Sequence, residues 1–222
     1  MANQVELLKK IPYFAGLGDA GIDAIRRFVY EKKAGRSEIL LSEGDKADVL
    51  YFVAEGVVKV FKTSPDGKEQ ILRIIRPGES FNDVPVLEGG TSLVSAAAMG
   101  PVTLYAIKKS DLEAVMRERP QIAFNVIRVL SQRVTELISL VEDLSFRHVT
   151  GRVAKMLLEY SVDKDGGHPR LTQQEMAAMI GTAREMVGRS LKSLEGEGLI
   201  RMERNRIIIT NQKALMAAAG VD

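Results

Sequence analysis

Arg184, Glu185 and Arg189 fall within one short stretch of the chain. A guanidinium presents paired donors that match the O6 and N7 acceptors of guanine. A carboxylate accepts from the N4 amino group of cytosine. Gly188 and Ser190 keep bulk low beside them, so a trio of this kind can read base edges. It can also do less, since Glu185 can cap a helix and the two arginines can simply be solvated. A basic Arg204-Asn205-Arg206 segment follows, of a kind suited to a phosphate backbone. Lys192 adds a further cation between the two groups.

These side chains need a scaffold, and the local sequence supplies one. Thr172-Gln173-Gln174-Glu175 is a capping box, in which the hydroxyl and the carboxylate each satisfy a free backbone donor. Met176, Ala177 and Ile180 then form one apolar face. Gly181 can take the positive φ that ends such a helix. Thr182-Ala183-Arg184-Glu185 is read as a second capping box. The helix after it buries Val187, Leu191 and Leu194 and ends near Gly196. Two short helices around a tight turn make a helix-turn-helix. Leu199 to Thr210 reads as two strands around the Arg-Asn-Arg tip, a wing beside that motif.

Composition narrows the other readings. Among 222 residues, 45% are hydrophobic and 27% charged, and the net charge is +2, ordinary values for a globular protein. Lys and Arg balance Asp and Glu at 20 each before His148 and lead by 11 to 9 from there on. Cys is absent and only His148 and His168 represent histidine. Disulfides, thiolate zinc sites and Cys-held iron–sulfur clusters are therefore excluded. No Ser/His/Asp set, metal cluster or phosphate loop suggests an enzyme. No apolar run is long enough to span a bilayer and no signal-peptide pattern opens the chain, so no membrane partner and a cytoplasmic location are expected.

The N-terminal half reads as β-rich. Residues 37–41, 49–61, 69–75, 93–98 and 102–107 are apolar or β-branched runs. They are punctuated by turn signals such as Asp66-Gly67 and Pro77-Gly78, a spacing that suggests a barrel or sandwich. A short amphipathic helix with Ile22, Ile25 and Phe28 or Val29 inward precedes them. From Pro120 to Phe146 the period changes. Ala123, Ile127, Leu130, Val134, Leu137, Val141 and Leu144 step by fours and threes, the seam of a two-helix coiled coil flanked by Arg128, Gln132, Arg133, Glu136 and Glu142. That seam predicts a homodimer; a long helix packed against its own barrel is the alternative. A further helix over His148 to Tyr160 turns Val149, Val153, Met156 and Leu157 to one side, and a polar loop covers Asp163 to Pro169.

With these residues in place, the chain resembles the cyclic AMP receptor/Fnr family of bacterial transcription factors. The resemblance is carried by Val149 to Ala154, Leu171 to Ala177, Gly181, Arg184 to Arg189 and Leu194 to Ile200. Looser matches lie at Phe14 to Leu17, Glu43 to Asp45, Tyr51 to Val53, Glu55-Gly56 and Pro77 to Glu79. It covers almost the whole chain. It implies an α+β fold: residues 1–119 as a jelly-roll, cyclic-nucleotide-binding-like sensor domain, 120–146 as a dimerisation helix, and 147–222 as a winged helix-turn-helix. It implies double-stranded DNA with an inverted-repeat operator and RNA polymerase as partners, with half-sites like TGTGA. Residues matching Arg184, Glu185 and Arg189 contact bases in the family, and those matching Thr150, Gln174 and Thr182 lie near phosphates.

The sensor region departs from the family pattern. Members that bind cyclic AMP have a Gly-Glu pair and then an Arg-Ser pair that holds the phosphate. Here those places carry Asn82-Asp83 and Leu93-Val94. A phosphate needs cations or clustered donors, and Leu93 offers neither. The family's two hydroxyl residues facing the adenine match Leu137 and Ile138. Cyclic AMP is therefore not expected. An effector, if the site is used, would meet Phe81, Asn82, Asp83, Leu93, Val94, Leu137 and Ile138. A haem sensor needs an axial ligand, and neither His lies in the β-rich part, so haem fits weakly. The competing readings are a haem-based gas or redox sensor of the same family, and a β-domain binding module with no role on DNA.

Overall fold

The computed structural model describes residues 2–161, 171–203 and 206–221. The chain divides into two compact units, residues 1–62 with 72–136, and residues 63–71 with 137–222. The division falls inside the long helix.

The first unit opens with α1 (Ala2–Lys10), a single 3-10 turn at Pro12–Phe14 and α2 (Asp19–Arg26). Eight strands follow: β1 (Tyr30–Ala34), β2 (Ile39–Leu41), β3 (Val49–Glu55), β4 (Val58–Thr63), β5 (Glu69–Ile75), β6 (Ser80–Phe81), β7 (Ser95–Ala98) and β8 (Val102–Lys108). They form two four-stranded sheets, ordered β1-β8-β3-β6 and β2-β7-β4-β5, the expected jelly-roll type of β-domain. One core draws residues from all eight strands, among them Val53, Val58, Ile75, Phe81, Ala96 and Leu104. A second core joins Leu50, Phe52 and Ile107 to Leu8, Tyr13, Phe14, Ile22 and Ile25. Strands β3 and β8 thus bury both faces, which is why they read as continuous apolar runs rather than alternating ones. Each Ile, Leu or Phe fully buried here contributes about 1.5–3 kcal/mol.

Several elements differ from the sequence reading. The run over 49–61 is two strands, because Gly56 turns the chain with φ of +82°. A Cβ at that position would lie 2.3 Å from the Pro101 carbonyl oxygen, so only glycine fits. Strand β1 escapes the apolar pattern because Tyr-Glu-Lys-Lys-Ala is charged, as suits a strand at a sheet edge. Helices α3 (Asp83–Glu88) and α4 (Lys109–Glu118) lie over stretches in which the sequence reading names no helix. Helix α2 ends before Phe28, which is exposed, while Val29 packs inward.

Helix α5 runs over Pro120–Phe146, the bounds that its Pro start and heptad pattern suggest. It has two apolar faces. Ile122 and Val126 are buried in the first unit's core, with Val129 and Leu130 leaning on it. Asn125 anchors the same face by donating Nδ2 to the carbonyls of Tyr13 (3.0 Å) and Ala15 (2.9 Å). Ile127, Val134, Leu137, Val141 and Leu144 are exposed along the other face.

The second unit contains α6 (Val149–Ser161), α7 (Gln173–Ile180), α8 (Arg184–Gly196), β9 (Ile200–Glu203), β10 (Arg206–Ile209) and α9 (Gln212–Ala219). Val153, Ala154 and Leu157 of α6 share one core with Ala177, Val187, Leu191, Leu194, Leu215 and Ala219. Asp143 of α5 accepts from Lys155 of α6 and, at 2.6 Å, from Arg147 Nε. Arg147 also donates to the carbonyls of Ala219 and Gly220 at the end of α9. The polar loop with His168, and the wing-tip residues Arg204 and Asn205, lie outside the described residues. Among those described, no helix is long and apolar enough to cross a membrane.

Candidate nucleic-acid interface

Helix α7 begins with the expected capping box: Thr172 Oγ1 accepts from Glu175 N–H at 3.1 Å, and Glu175 Oε2 accepts from Thr172 N–H at 2.6 Å. Gly181 ends the helix with φ of +66° and ψ of +51°. An added Cβ there would press to 2.8 Å from the Leu144 side chain, so glycine is required twice over. Thr182 N–H then bonds to the Ala177 carbonyl.

That bond changes how α8 starts. The N-cap is Ala183, with no side-chain cap, so the second capping box does not form. The turn after Gly181 delays the helix by one residue, which leaves Thr182 one place before the cap. Glu185 is thereby released from a capping duty. Val187, Leu191 and Leu194 are buried as expected. Ser190 is buried too, rather than keeping bulk low on the outer face. Its hydroxyl meets that of Thr150 at 3.1 Å and ties α6 to α8.

The outer face of α8 carries Arg184, Glu185, Arg189 and Lys192. Arg184, Glu185, Arg189 and Lys192 are all exposed. None of the four has an ion-pair partner among the described residues. Gln174 on α7 is exposed as well, and Thr182 and Thr150 are half-buried. The wing pairs β9 with β10 in the register Arg206↔Glu203. Glu195 Oε1 accepts from Met202 N–H at 2.7 Å and fixes the wing to α8. Arg206 and Arg201 both bind Glu203, at 2.8 and 3.0 Å. Both cations hold the Glu203 carboxyl below its ordinary range, Arg206 most strongly.

In the first unit, Phe81, Asn82 and Asp83 are buried at 2%, 8% and 4% exposure. Phe81 stacks on Tyr51, with centroids 5.1 Å apart. Asn82 sits in the left-handed region, donates to the Val49 carbonyl at 3.0 Å and accepts from Ser92 at 2.9 Å. Asp83 accepts from Tyr13 at 2.9 Å and from Arg133. Arg133 also donates to the Ser80 carbonyl (2.9 Å) and hydroxyl (2.8 Å). The polar groups read as effector contacts are thus already bonded within the chain. Burial alone would raise the Asp83 carboxyl, but the Arg133 charge and the hydrogen bonds to it hold it below the usual range. Burial and the Asp83 carboxylate push the Tyr13 phenol up. Leu93 is exposed, Val94 packs on the barrel core, and Leu137 and Ile138 are exposed in the second unit.

The cyclic nucleotide-binding domain matches residues 31–119 and the Crp-like helix-turn-helix domain matches residues 151–218. A CRP-like cAMP-activated global transcriptional regulator of Mycobacterium tuberculosis is 30% identical over 221 residues, covering 96% of this chain and 99% of its own. The cyclic AMP receptor protein of Thermus thermophilus is 32% identical over 195 residues, covering 88% and 90%. Among solved structures, a CRP/FNR-family transcriptional regulator from Thermus thermophilus superposes with a TM-score of 0.73 at 26% identity, covering 86% of this chain and 98% of that one. The chain belongs to the CRP/FNR family of transcription regulators. Its relatives are transcriptional regulators, not enzymes.

This CRP/FNR regulator has both of the domains that the comparisons match. Sequence reasoning misses Tyr13, Ser80 and Arg133 as parts of the sensor region. Its pattern puts Arg133 on a flank of the seam, whereas the side chain is only 11% exposed and turned onto Asp83. A carboxylate among apolar neighbours needs a cation, and that signal points to Asp83, though not to its partner 50 residues away.

Proposed function

We propose that this regulator acts on DNA as a homodimer joined along the exposed α5 seam and reads an inverted repeat through α8. The observation that carries the reading is the outer face of α8: two guanidinium groups and a carboxylate, free of ion pairs within the described residues. In such a dimer the two recognition helices enter successive major grooves about 34 Å apart. Arg184 and Arg189 read guanines, and Glu185 reads a cytosine on the opposite strand. Gln174, Thr182 and Thr150 approach phosphates, with Lys192 and the wing. RNA polymerase is the further partner.

Arg189→Ala is expected to cost about 1–3 kcal/mol on the specific site and to relax preference at one guanine. Arg206→Ala should instead weaken all sequences alike. Because Arg206 shares Glu203 with Arg201, its salt slope should fall by about one at most. Competition gel shifts over single-base variants of the best site check both. An Arg189→Ala protein that loses affinity equally for every variant would put that side chain on phosphate and sink its assignment.

The effector is proposed to be something other than cyclic AMP, although relatives are named as cAMP-activated. Leu93 and Val94 stand where the cyclic phosphate would need donors, and Asn82 and Asp83 are committed to Ser92, Val49, Tyr13 and Arg133. Calorimetry with cyclic AMP should register no micromolar binding. A dissociation constant near 1 μM, about −8 kcal/mol, would overturn this. Haem is not proposed, since His148 is exposed outside the β-domain and His168 falls outside the described residues.

A further inference from the structure

We propose that Gly188 is a specificity-determining position of the reading helix: it leaves a notch on α8 that admits the 5-methyl group of one thymine in each half-site. The inference deepens the DNA reading of α8 and rests on it.

Gly188 lies inside α8 (Arg184–Gly196), more than a turn from either end. Glycine in a helix interior is less favourable than alanine, because it gives up more backbone freedom on folding and packs no side chain. Two internal reasons could still demand it, and neither holds. Its φ is not in the left-handed region that favours glycine. A Cβ at Gly188 would meet only Gln173 Oε1, at 3.5 Å, an ordinary contact with the end of an exposed, flexible side chain. Gly151 of α6 shows the contrast. A Cβ there would lie 3.2 Å from the Ala218 carbonyl oxygen, so that glycine serves the close packing of α6 on α9.

The reason that remains lies outside the chain. Residues three and four apart are neighbours on a helix surface. Arg184 and Glu185 therefore lie one turn before Gly188, and Lys192 one turn after it. All three are exposed and belong to the surface that enters the major groove in the DNA reading. Among these polar side chains Gly188 presents only its Cα, since the peptide groups of an interior helical residue are bonded along the helix. Gln173, at the start of α7, walls the notch on one side. A floor with no free donor does not suit a phosphate, which needs cations or clustered donors. It suits the apolar group that a base pair exposes in the major groove, the C5-methyl of thymine.

The test pairs a methyl group added to the protein with one removed from the DNA. The best operator is selected from random duplexes with the full-length protein. It is then remade with uracil in place of each thymine in turn, in both half-sites, which removes only the 5-methyl group. At one position the wild type should bind the uracil duplex about threefold more weakly per half-site, the loss of one buried methyl contact. Gly188→Ala should bind the thymine operator about tenfold more weakly per half-site, because its new methyl overfills the notch. Uracil at that same position should restore most of this loss. The melting temperature of Gly188→Ala should rise by a few degrees, since alanine is the better helix former, which separates the binding defect from unfolding. Wild-type affinity in Gly188→Ala would overturn the inference. So would a loss that no uracil relieves, which would place the sugar–phosphate strand over Gly188. A selection that returns no preferred sequence would sink the α8 reading and this inference with it. A preferred sequence that Arg189→Ala relaxes but Gly188→Ala binds normally would sink this inference alone.

Discussion

Asp83→Ala should lower the melting temperature of the β-domain by roughly 10–20 °C. The carboxylate and its partner Arg133 are 5% and 11% exposed. Removing the acid leaves a guanidinium buried without a counter-charge, which costs about 3–5 kcal/mol. It also strips the Tyr13 hydroxyl of its acceptor. Replacing both members, as Asp83→Leu with Arg133→Met, should recover most of the loss, because the unpaired charge goes with its partner. A drop of less than about 3 °C for Asp83→Ala would mean that Arg133 finds water instead. The pH dependence has a definite sign. The Asp83 carboxyl is held below its ordinary value in the folded protein. Its contribution is therefore complete above about pH 3.9 and is lost as the pH falls through the lower folded value. Acid unfolding followed by circular dichroism should show this component in the wild type and lack it in Asp83→Ala.

The parts of the molecule that can be read from the sequence are those coded locally. The capping box at Thr172, the positive-φ glycine at Gly181 and the apolar spacing of Val187, Leu191 and Leu194 each act within a few residues. The helix-turn-helix is legible for that reason. So is α5, whose Pro start and heptads need no distant partner. What escapes is long-range. Asp83 meets Arg133 across 50 positions, and neither neighbourhood announces the other. The second capping box fails on a subtler point. Its residues are right, but the Thr182 N–H is already taken by the turn. Helix α1 and strand β1 stay hidden because their charged residues mask the few positions, such as Leu8 and Ala34, that anchor them.

Val134→Lys with Val141→Lys should give a monomer whose operator affinity falls by at least about 10³-fold, toward non-specific binding. Both valines are exposed in the single chain, at 56% and 63%, and lie a heptad apart. Buried across a two-helix seam, they would contribute apolar area; as lysines they would set like charges against each other. The choice of positions matters. Leu130 also belongs to the heptad pattern, but it leans on the first unit's own core, so changing it would confuse dimerisation with folding. Sedimentation should report the monomer while the circular dichroism spectrum stays native. An intact dimer in this variant would exclude the seam as the interface.

The second unit closes on itself through two helices far apart in the chain. Leu215 and Ala219 of α9 complete the core that Val153 and Ala154 of α6 begin. Arg147, just before α6, takes the last carbonyls of α9. During synthesis the chain appears from its N-terminus onward, and domains fold as units. The β-domain can therefore finish folding while still attached to the ribosome, whereas the DNA-reading domain must wait until α9 has emerged. A nascent chain stalled before α9 would carry a folded sensor and an unfinished reader, and a ribosome that stopped there would release a protein unable to grip its operator.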